Sequence, residues 1–307
     1  MPKITDSPPP AVAAELANLR DVLNREVPAK AIDRNLLIAT WNIRGFGDLT
    51  EKWEAGPNDS PKRDLHSLRC IAEIVRRFDV IAVQEVRENL KALRHMLKFL
   101  GRDWNFILTD VTRGAPGNGE RLAFLFDTRR VHLSGLAAEL VVPREELERV
   151  GPDALHSQFA RTPYAVSFRS GRETFILVTL HVRYGQTAAE RVPELRAIAQ
   201  WLASWARELN SWGHNLLALG DFNIDRKGDI LYEAFTSTGL FVPADLDEVP
   251  RTIFSQPDTP KFYDQIAWFI KDGRVPALSL QYLRGGGFDF TRVVMRLRQM
   301  SKNRLSW

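Results

Sequence analysis

Cysteine is almost absent from this sequence, which has a single thiol, at Cys70, among its 307 residues. One cysteine cannot build an internal disulfide framework, so the sequence predicts a reducing, cytoplasmic setting. Long apolar runs are missing as well, and none approaches the roughly 18 residues that a membrane span needs. The first residues, MPKITDSPPP, are polar and proline-rich, which is unlike a secretory signal.

A large excess of one charge is also missing. The 42 basic residues nearly balance the 38 acidic ones, which gives a net charge of +4. This balance permits a polyanionic partner without requiring one. With 44% hydrophobic and 26% charged residues, the composition is that of a globular protein with one large domain or two small ones. Composition therefore leaves the function open, and any function must come from motifs.

The spacing of apolar residues predicts the order of helices and strands. Leu16, Leu19 and Leu23 share one face of a predicted helix over residues 11–27, which Pro28 ends. Helical periodicity returns over residues 65–78 and 195–209. Seven short apolar runs are predicted to be buried strands: Leu36–Trp41, Val80–Gln84, Phe106–Leu108, Leu122–Phe126, Phe175–His181, Leu216–Leu219 and Gln265–Ile270.

Strands outnumber helices in this pattern, and several strand-like runs follow one another between Trp104 and His181. That succession argues against an alternating βα barrel and favours a two-sheet sandwich with flanking helices. We therefore predict an N-terminal helical extension over residues 1–34 and one domain over residues 35–307.

Polar side chains stand at the ends of the predicted strands, where a core does not need them. Four runs are followed by such residues, namely Asn42 and Arg44, Gln84 and Glu85, His181, and Asp221 with Asn223. A fifth element, Tyr263-Asp264-Gln265, precedes a run instead. If the sheets pack face to face, these ends can converge on one rim. Carboxylates, amides and an imidazole there would form a hard-oxygen metal and phosphate site.

Each of these residues also has a purely structural interpretation. Asn42 could open a turn, and Glu85 could be a solvated charge at the start of a helix over Val86–Leu100. His181 alone is more often a hydrogen-bonded structural imidazole than a catalyst, and Gly220–Asn223 could be an Asx-type turn. Five such placements in one chain favour the functional interpretation of the set.

The motifs resemble a known family in their order along the chain. They are Trp41-Asn42-Ile43-Arg44, Val83-Gln84-Glu85-Val86-Arg87, Leu180-His181 and Gly220-Asp221-Phe222-Asn223. This set is similar to the endonuclease/exonuclease/phosphatase superfamily, and within it to the deoxyribonuclease I-like nucleases. Further similar elements extend the resemblance from about Leu36 to Phe290: Glu120-Arg121, Phe159-Ala160-Arg161-Thr162-Pro163, Tyr263-Asp264 and Phe288-Asp289-Phe290.

The resemblance implies an α/β four-layer sandwich, in which two central, mostly antiparallel sheets are flanked by helices. It also implies a divalent-metal phosphodiesterase site. Glu85 would be the principal ligand of Mg²⁺, or of Mn²⁺, which uses the same hard oxygen ligands, and Asn42 would help to hold it. His181 would be a catalytic histidine, oriented by Glu120.

The remaining site residues come from the same resemblance. Asp221 and Asn223 would position the attacking water and the scissile phosphate, and Asp264 would support them. Three arginines are implied contacts to the phosphate backbone: Arg44, Arg87 and Arg161.

Two features depart from the family pattern. The family ordinarily ends in a Ser-Asp-His strand, whereas no histidine follows His214 here and the sequence ends at Trp307. We expect the natural chain to continue past Trp307 to that strand; an immediate stop codon would contradict this expectation. Without the second histidine, the site would lack an acid–base group worth about 10²–10⁴ in rate. After His181, Val182-Arg183-Tyr184-Gly185 replaces a small, proline-containing loop, and Arg183 either favours a more anionic substrate or is simply solvated.

Three functions remain open at this point. The first is a metal-dependent endonuclease that hydrolyses DNA, with cleavage that weakens steeply as salt rises. The second is the same chemistry on RNA, phospholipid headgroups or phosphomonoesters, because a fold does not choose among them. The third is a catalytically impaired module that binds phosphate through the same cleft.

Overall fold

The centre of the protein consists of two β-sheets. The computed structural model describes residues 6–112, 119–141, 161–209, 215–249, 261–270, 279–294 and 305–306. Phe159 and Ala160 of the motif quoted above lie outside these residues. The strands are β1 (Ile38–Phe46), β2 (Val80–Arg87), β3 (Trp104–Leu108), β4 (Glu120–Asp127), β5 (His132–Glu139), β6 (Tyr164–Ser170), β7 (Glu173–His181), β8 (Asn215–Asp221), β9 (Leu240–Phe241), β10 (Asp264–Phe269), β11 (Gly287–Phe288) and β12 (Leu305–Ser306).

Among the described residues, each sheet has six strands, in the orders β11-β12-β1-β2-β4-β3 and β5-β6-β7-β8-β10-β9. Only β1 with β2 and β7 with β8 pair in parallel among the described strands. The predicted pair of mostly antiparallel sheets is therefore confirmed. A parallel pair needs a crossover connection and brings the carboxyl ends of both strands to one edge. Each sheet thus has one such edge, and the polar strand ends of the sequence lie there.

Six helices cover the outer faces of the sheets in the described residues: α1 (Pro10–Glu26), α2 (Leu65–Val75), α3 (Lys91–Leu100), α4 (Ala188–Leu209), α5 (Ile230–Thr236) and α6 (Ala244–Asp247). One hydrophobic cluster joins α1, α2 and α3 to the first sheet, and a second cluster joins the two sheets to each other and to α4. Along β2, Val80 and Ala82 face the second sheet, whereas Ile81 and Val83 face the helices. The predicted four-layer sandwich is confirmed.

Helix α1 packs onto the first helical layer. Its apolar stripe, Val12, Leu16, Leu19 and Leu23, is buried in the same cluster as α2. The helix begins with proline at its first position, where the missing amide N–H is not needed. None of the described helices combines the length and the apolar character that a bilayer crossing requires.

Gly220 allows β7 and β8 to approach each other next to the polar strand ends. Its φ is +149°, and a Cβ built there would lie 2.1 Å from the carbonyl oxygen of Leu180. We expect Gly220→Ala to lower the free energy of unfolding by about 3–5 kcal/mol, because backbone must move to relieve this overlap. Urea denaturation measures the change.

A matched control for this prediction is Gly135→Ala in β5. Gly135 also has a positive φ, +111°, but a Cβ there meets nothing within 4 Å. In the control, the free energy of unfolding should therefore fall only by the cost of the unfavourable backbone conformation, about 1–2 kcal/mol. Equal losses in the two variants would show that the close approach at Gly220 contributes nothing.

Candidate active site

Three strand ends of the second sheet place His181, Asp221 and Asp264 side by side. His181 and Asp221 are register partners in the parallel pair β7/β8. Asp221 and Asp264 are partners in the antiparallel pair β8/β10. Because β10 runs opposite to β8, the residue that begins β10 meets the residue that ends β8. This explains why the fifth polar element precedes its apolar run.

In the first sheet, Glu85 lies at an irregularity in the pairing of β1 with β2. The regular pairing of β1 with β2 ends at Asn42 and Gln84, resumes at Phe46 and Val86, and is shifted between them. Glu85 lies at this shift with φ of +61°. A left-handed conformation at a residue other than glycine costs free energy and is concentrated at functional sites. The alternative in which Glu85 starts a helix is wrong, because β2 continues to Arg87 and α3 begins at Lys91.

Backbone and side-chain donors fix the two sides of this irregularity. The amide N–H of Gly45 donates to Oε2 of Glu85 at 3.0 Å. The guanidinium of Arg63 donates to the carbonyl oxygens of Arg44 and Gly45 at 2.5 and 2.7 Å. Burial lowers the pKa of Arg63 to about 10, although the negative charge of Glu85 acts in the other direction and raises it. Arg63 is a site-supporting residue that the sequence did not reveal, since nothing in its local pattern marks it.

Two contacts join the sheets at their polar edges. The Nδ2 of Asn42 donates to Oδ2 of Asp221 at 2.8 Å. The Nδ1 of His181 lies 3.2 Å from Oε2 of Glu120, which begins β4, and its Nε2 lies 3.9 Å from Oδ2 of Asp221. The expected convergence of strand ends on one rim is found in the structure. Asn42 lies within a strand and opens no turn.

Asp221 and Asn223 form one local unit. The backbone N–H of Asn223 donates to Oδ1 of Asp221 at 3.0 Å, which is an Asx-type turn. Asn223 has φ of +51°, and its Nδ2 donates to the carbonyl oxygen of Val182 at 2.6 Å. The Asx interpretation is thus correct as local geometry. It also fixes the Asp221 carboxylate at the rim, so the structural and functional interpretations describe the same turn.

Glu120 is surrounded by cationic groups. Its Oε2 accepts from Nε of Arg161 at 2.5 Å, and its Oε1 lies 3.3 Å from a guanidinium nitrogen of Arg87. Burial raises the pKa of Glu120, but the contact with His181 and the nearby charges of His181, Arg161 and Arg87 outweigh it. The net pKa lies below the usual 4.5. The carboxylate is therefore charged near neutral pH and can orient the His181 ring.

The three predicted phosphate-binding arginines have different surroundings. Arg44 is exposed on β1, and the side chain of Arg87 is 38% exposed between Glu85 and Glu120. Arg161 is buried, and besides Glu120 it contacts the carbonyl oxygen of His181 at 3.3 Å. Contact with phosphate stays a prediction for all three.

Two further residues support the candidate site through hydrogen bonds. Gln84 is fully buried between the sheets, where its Nε2 donates to Thr179 at 2.9 Å and to Thr40 at 3.1 Å. Arg191 on α4 donates to the carbonyl oxygen of Asn223 at 2.5 Å and to Asp225 at 3.0 Å. Gln84 was visible in a motif, whereas Arg191 has no local signal because it lies within an amphipathic helix.

Comparison with known proteins identifies the family. The model of the endonuclease/exonuclease/phosphatase family matches residues 39–282, which is most of the chain. The protein belongs to this family. The match contains every strand end described above.

Individual relatives agree with the family. A deoxyribonuclease of Thioalkalivibrio sp. (strain K90mix) is 29% identical over 203 residues, which cover 64% of this chain and 48% of that protein. Deoxyribonuclease-1 of Bos taurus is 26% identical over 200 residues, covering 62% of this chain and 61% of that protein. The chain thus spans only about half to three-fifths of these curated relatives.

Among solved structures, similar folds occur in proteins with different functions. The Bacteroides thetaiotaomicron mannosyl-6-phosphatase superposes with a TM-score of 0.58 at 17% identity, covering 89% of this chain and 98% of that one. The D. rerio TDP2 in complex with a single-strand DNA product also gives 0.58, at 13% identity and the same coverage. At these identities, the similarity shows the shared fold alone.

The donor set of this family member fits a hard divalent cation. No group of three or more His, Cys, Asp or Glu side chains arranged to hold a metal occurs among the described residues. Glu85 and the amide oxygen of Asn42 would instead supply one carboxylate and one neutral oxygen. Mg²⁺ accepts such a set because it retains several waters and binds through one or two carboxylates. The chemistry of these two residues therefore fits Mg²⁺ or Mn²⁺, and their role as metal ligands stays a prediction.

The depressed pKa of Glu120 predicts how stability depends on pH. A carboxyl group with a lower pKa in the folded state stabilises the fold fully above about pH 4.5, its unfolded value, and this contribution is lost as pH falls through the folded pKa. We therefore expect Glu120→Gln to lose less unfolding free energy than the wild type as the pH falls below about 4.5, the ordinary pKa of this carboxyl group. Denaturant titrations at several pH values measure both slopes, and parallel slopes would contradict the expectation.

Proposed function

We propose that the protein is a divalent-metal-dependent phosphodiesterase whose principal substrate is DNA. One observation carries the proposal: the two sheets meet through Asn42–Asp221 and Glu120–His181 contacts, directly beside the strained Glu85. This arrangement combines an oxygen donor set for a cation, an oriented imidazole and amide donors on one rim. A packing role for these residues would not require left-handed backbone at both Glu85 and Asn223.

The chemistry follows from the roles that these groups can perform. Hydrolysis forms a bond from a water oxygen to phosphorus and breaks the bond to one ester oxygen, which leaves with a proton. A cation held by Glu85 and Asn42 would screen the phosphoryl charge and lower the pKa of a bound water. Because Nδ1 of His181 lies 3.2 Å from Oε2 of Glu120, the carboxylate would favour a proton on Nδ1 and leave Nε2 to exchange a proton on the reacting side.

Asp221 and the amide groups complete the rim. The carboxylate of Asp221 is fixed by Asn42 and by the backbone of Asn223, so it can orient a water without changing its own position. Asp264 in β10, the register partner of Asp221, would support it. The guanidinium groups of Arg44 and Arg87 would contact flanking phosphates, which gives affinity without reading sequence.

DNA is favoured over the other substrates by the deoxyribonuclease relatives, while the phosphatase neighbour keeps phosphomonoesters as the alternative. The test is a panel of duplex DNA, single-stranded DNA, RNA, a phosphatidylinositol phosphate and a sugar phosphate, each incubated with the protein in Mg²⁺. We expect the highest kcat/KM on DNA, falling steeply between 50 and about 200 mM salt. A higher value on RNA or on a monoester would replace DNA as the substrate. Phosphate binding with no hydrolysis of any member would support the catalytically impaired module.

A further inference from the structure

An exposed aromatic ring stands beside the rim, in the loop that follows His181. Tyr184 is 56% exposed, which makes it the most exposed of the aromatic residues in the described part of the chain. Two neighbouring side chains pack against its ring. The guanidinium carbon of Arg191 lies 5.1 Å from the ring centroid, and the Tyr263 ring packs edge-on at 5.9 Å with an interplanar angle of 81°.

The groups that hold this ring also hold the candidate active site. Arg191 is buried, and it contacts the Tyr184 ring while donating to the carbonyl oxygen of Asn223. Tyr263 directly precedes Asp264, and its carbonyl oxygen accepts from the N–H of Phe222 at 2.8 Å. The hydroxyl groups of Tyr184 and Tyr263 are 3.4 Å apart. One guanidinium thus connects the Tyr184 ring to Asn223 on the rim.

The chemistry of this surface favours a ligand that contains a flat ring. The Arg191 guanidinium lies over the Tyr184 ring, the Tyr263 ring meets it at nearly a right angle, and 56% of Tyr184 remains exposed to solvent. An exposed aromatic ring that is already ordered loses little entropy on binding, and an open π-face accepts any nucleobase by stacking. In an intact duplex both faces of a base are already stacked on its neighbours, so such a base must first leave the stack.

We propose that Tyr184 forms a stacking subsite for an unpaired nucleobase adjacent to the scissile phosphate. The subsite rests on the proposed phosphodiesterase function and specifies its substrate as single-stranded, frayed or locally unwound DNA. Tyr184 is a specificity residue in this assignment, and Arg191 and Tyr263 position it.

The test compares two substrates that differ only in their bases. One is a thymidine trinucleotide, and the other is the same trimer built from tetrahydrofuran abasic units. The wild type is expected to have a KM about 10-fold lower for the thymidine trimer, a ratio set by the stacking of one base. Tyr184→Ala and Tyr184→Leu should remove this ratio, Tyr184→Phe should keep it, and kcat on the abasic trimer should be the same in all four proteins.

A matched control variant is Tyr282→Ala. Tyr282 is also partly exposed and packs on Trp268, which is four residues beyond Asp264 along β10 and away from the rim. The control should keep the wild-type KM ratio. Binding of a fluorescein-labelled oligothymidylate in EDTA, followed by anisotropy, gives a readout that does not depend on catalysis, and it should weaken in Tyr184→Ala but not in Tyr282→Ala.

The outcomes separate the two proposals. If the wild type hydrolyses both trimers with equal KM, or if Tyr184→Ala keeps the ratio, the subsite is wrong and the phosphodiesterase proposal stands. If the wild type hydrolyses no phosphodiester yet binds oligothymidylate through Tyr184, the stacking surface stands and the proposed activity fails. If neither hydrolysis nor Tyr184-dependent binding is measured, both are overturned.

Discussion

Replacing Glu85 by glutamine is expected to lower kcat for DNA hydrolysis by about 10³-fold or more, because the cation that it would hold contributes several kcal/mol to the transition state. Glutamine keeps the size of the side chain and an oxygen that can accept from the N–H of Gly45. It loses the negative charge, which a hard cation needs. Initial rates of plasmid nicking at saturating Mg²⁺ measure the loss.

Stability measurements keep this prediction separate from misfolding. Glu85 lies at the shifted register of β1 and β2 with positive φ, and its replacement by glutamine leaves that backbone unchanged. The free energy of unfolding should therefore change by less than about 1 kcal/mol. Calorimetric titration should show that Mg²⁺ binds the wild type and not the variant. Wild-type nicking rates in a folded Glu85→Gln protein would remove Glu85 from the mechanism.

His181→Ala is expected to lower kcat by about 10²–10⁴-fold, the usual contribution of a general acid–base group. Glu120→Gln should give a smaller loss, because Glu120 acts through the ring that it orients at 3.2 Å. The double variant should be no slower than His181→Ala alone, since orienting an absent ring has no effect.

Additive losses in the double variant would contradict this coupling and would give Glu120 an independent role. Arg161→Gln is a useful comparison, since it removes a partner of Glu120 and leaves the imidazole in place. Arg161→Gln should lower kcat, as Glu120→Gln does, but by a smaller factor.

The sequence could predict the site because the site is made from strand ends. Apolar runs mark buried strands, and a polar residue at the end of such a run has no use in the core. Asn42, His181 and Asp221 were all found by this rule, and the structure brings them to one rim. Even Asp264, which starts its strand, fits the rule once the antiparallel pairing of β8 and β10 is known.

The parts that were not predicted depend on contacts between distant residues. The strand β5 was missed because its side chains are mostly exposed at the edge of the sheet, so its apolar pattern is weak. Arg63 and Arg191 act on backbone carbonyl oxygens 18 or more residues away, and a local pattern carries no sign of that. The positive φ of Glu85 follows from the register shift between two strands, which only the folded structure defines.

The metal dependence of DNA cleavage by the wild type tests the proposed function of this rim most directly. Supercoiled plasmid is incubated with the protein in Mg²⁺, then in EDTA, and then in EDTA with Mg²⁺ restored in excess, and nicked product is quantified on a gel. We expect nicking in Mg²⁺, its loss in EDTA and its full return when Mg²⁺ is restored. Nicking that persists undiminished in EDTA would contradict a cation held by Glu85 and Asn42, and with it the central role given to this rim.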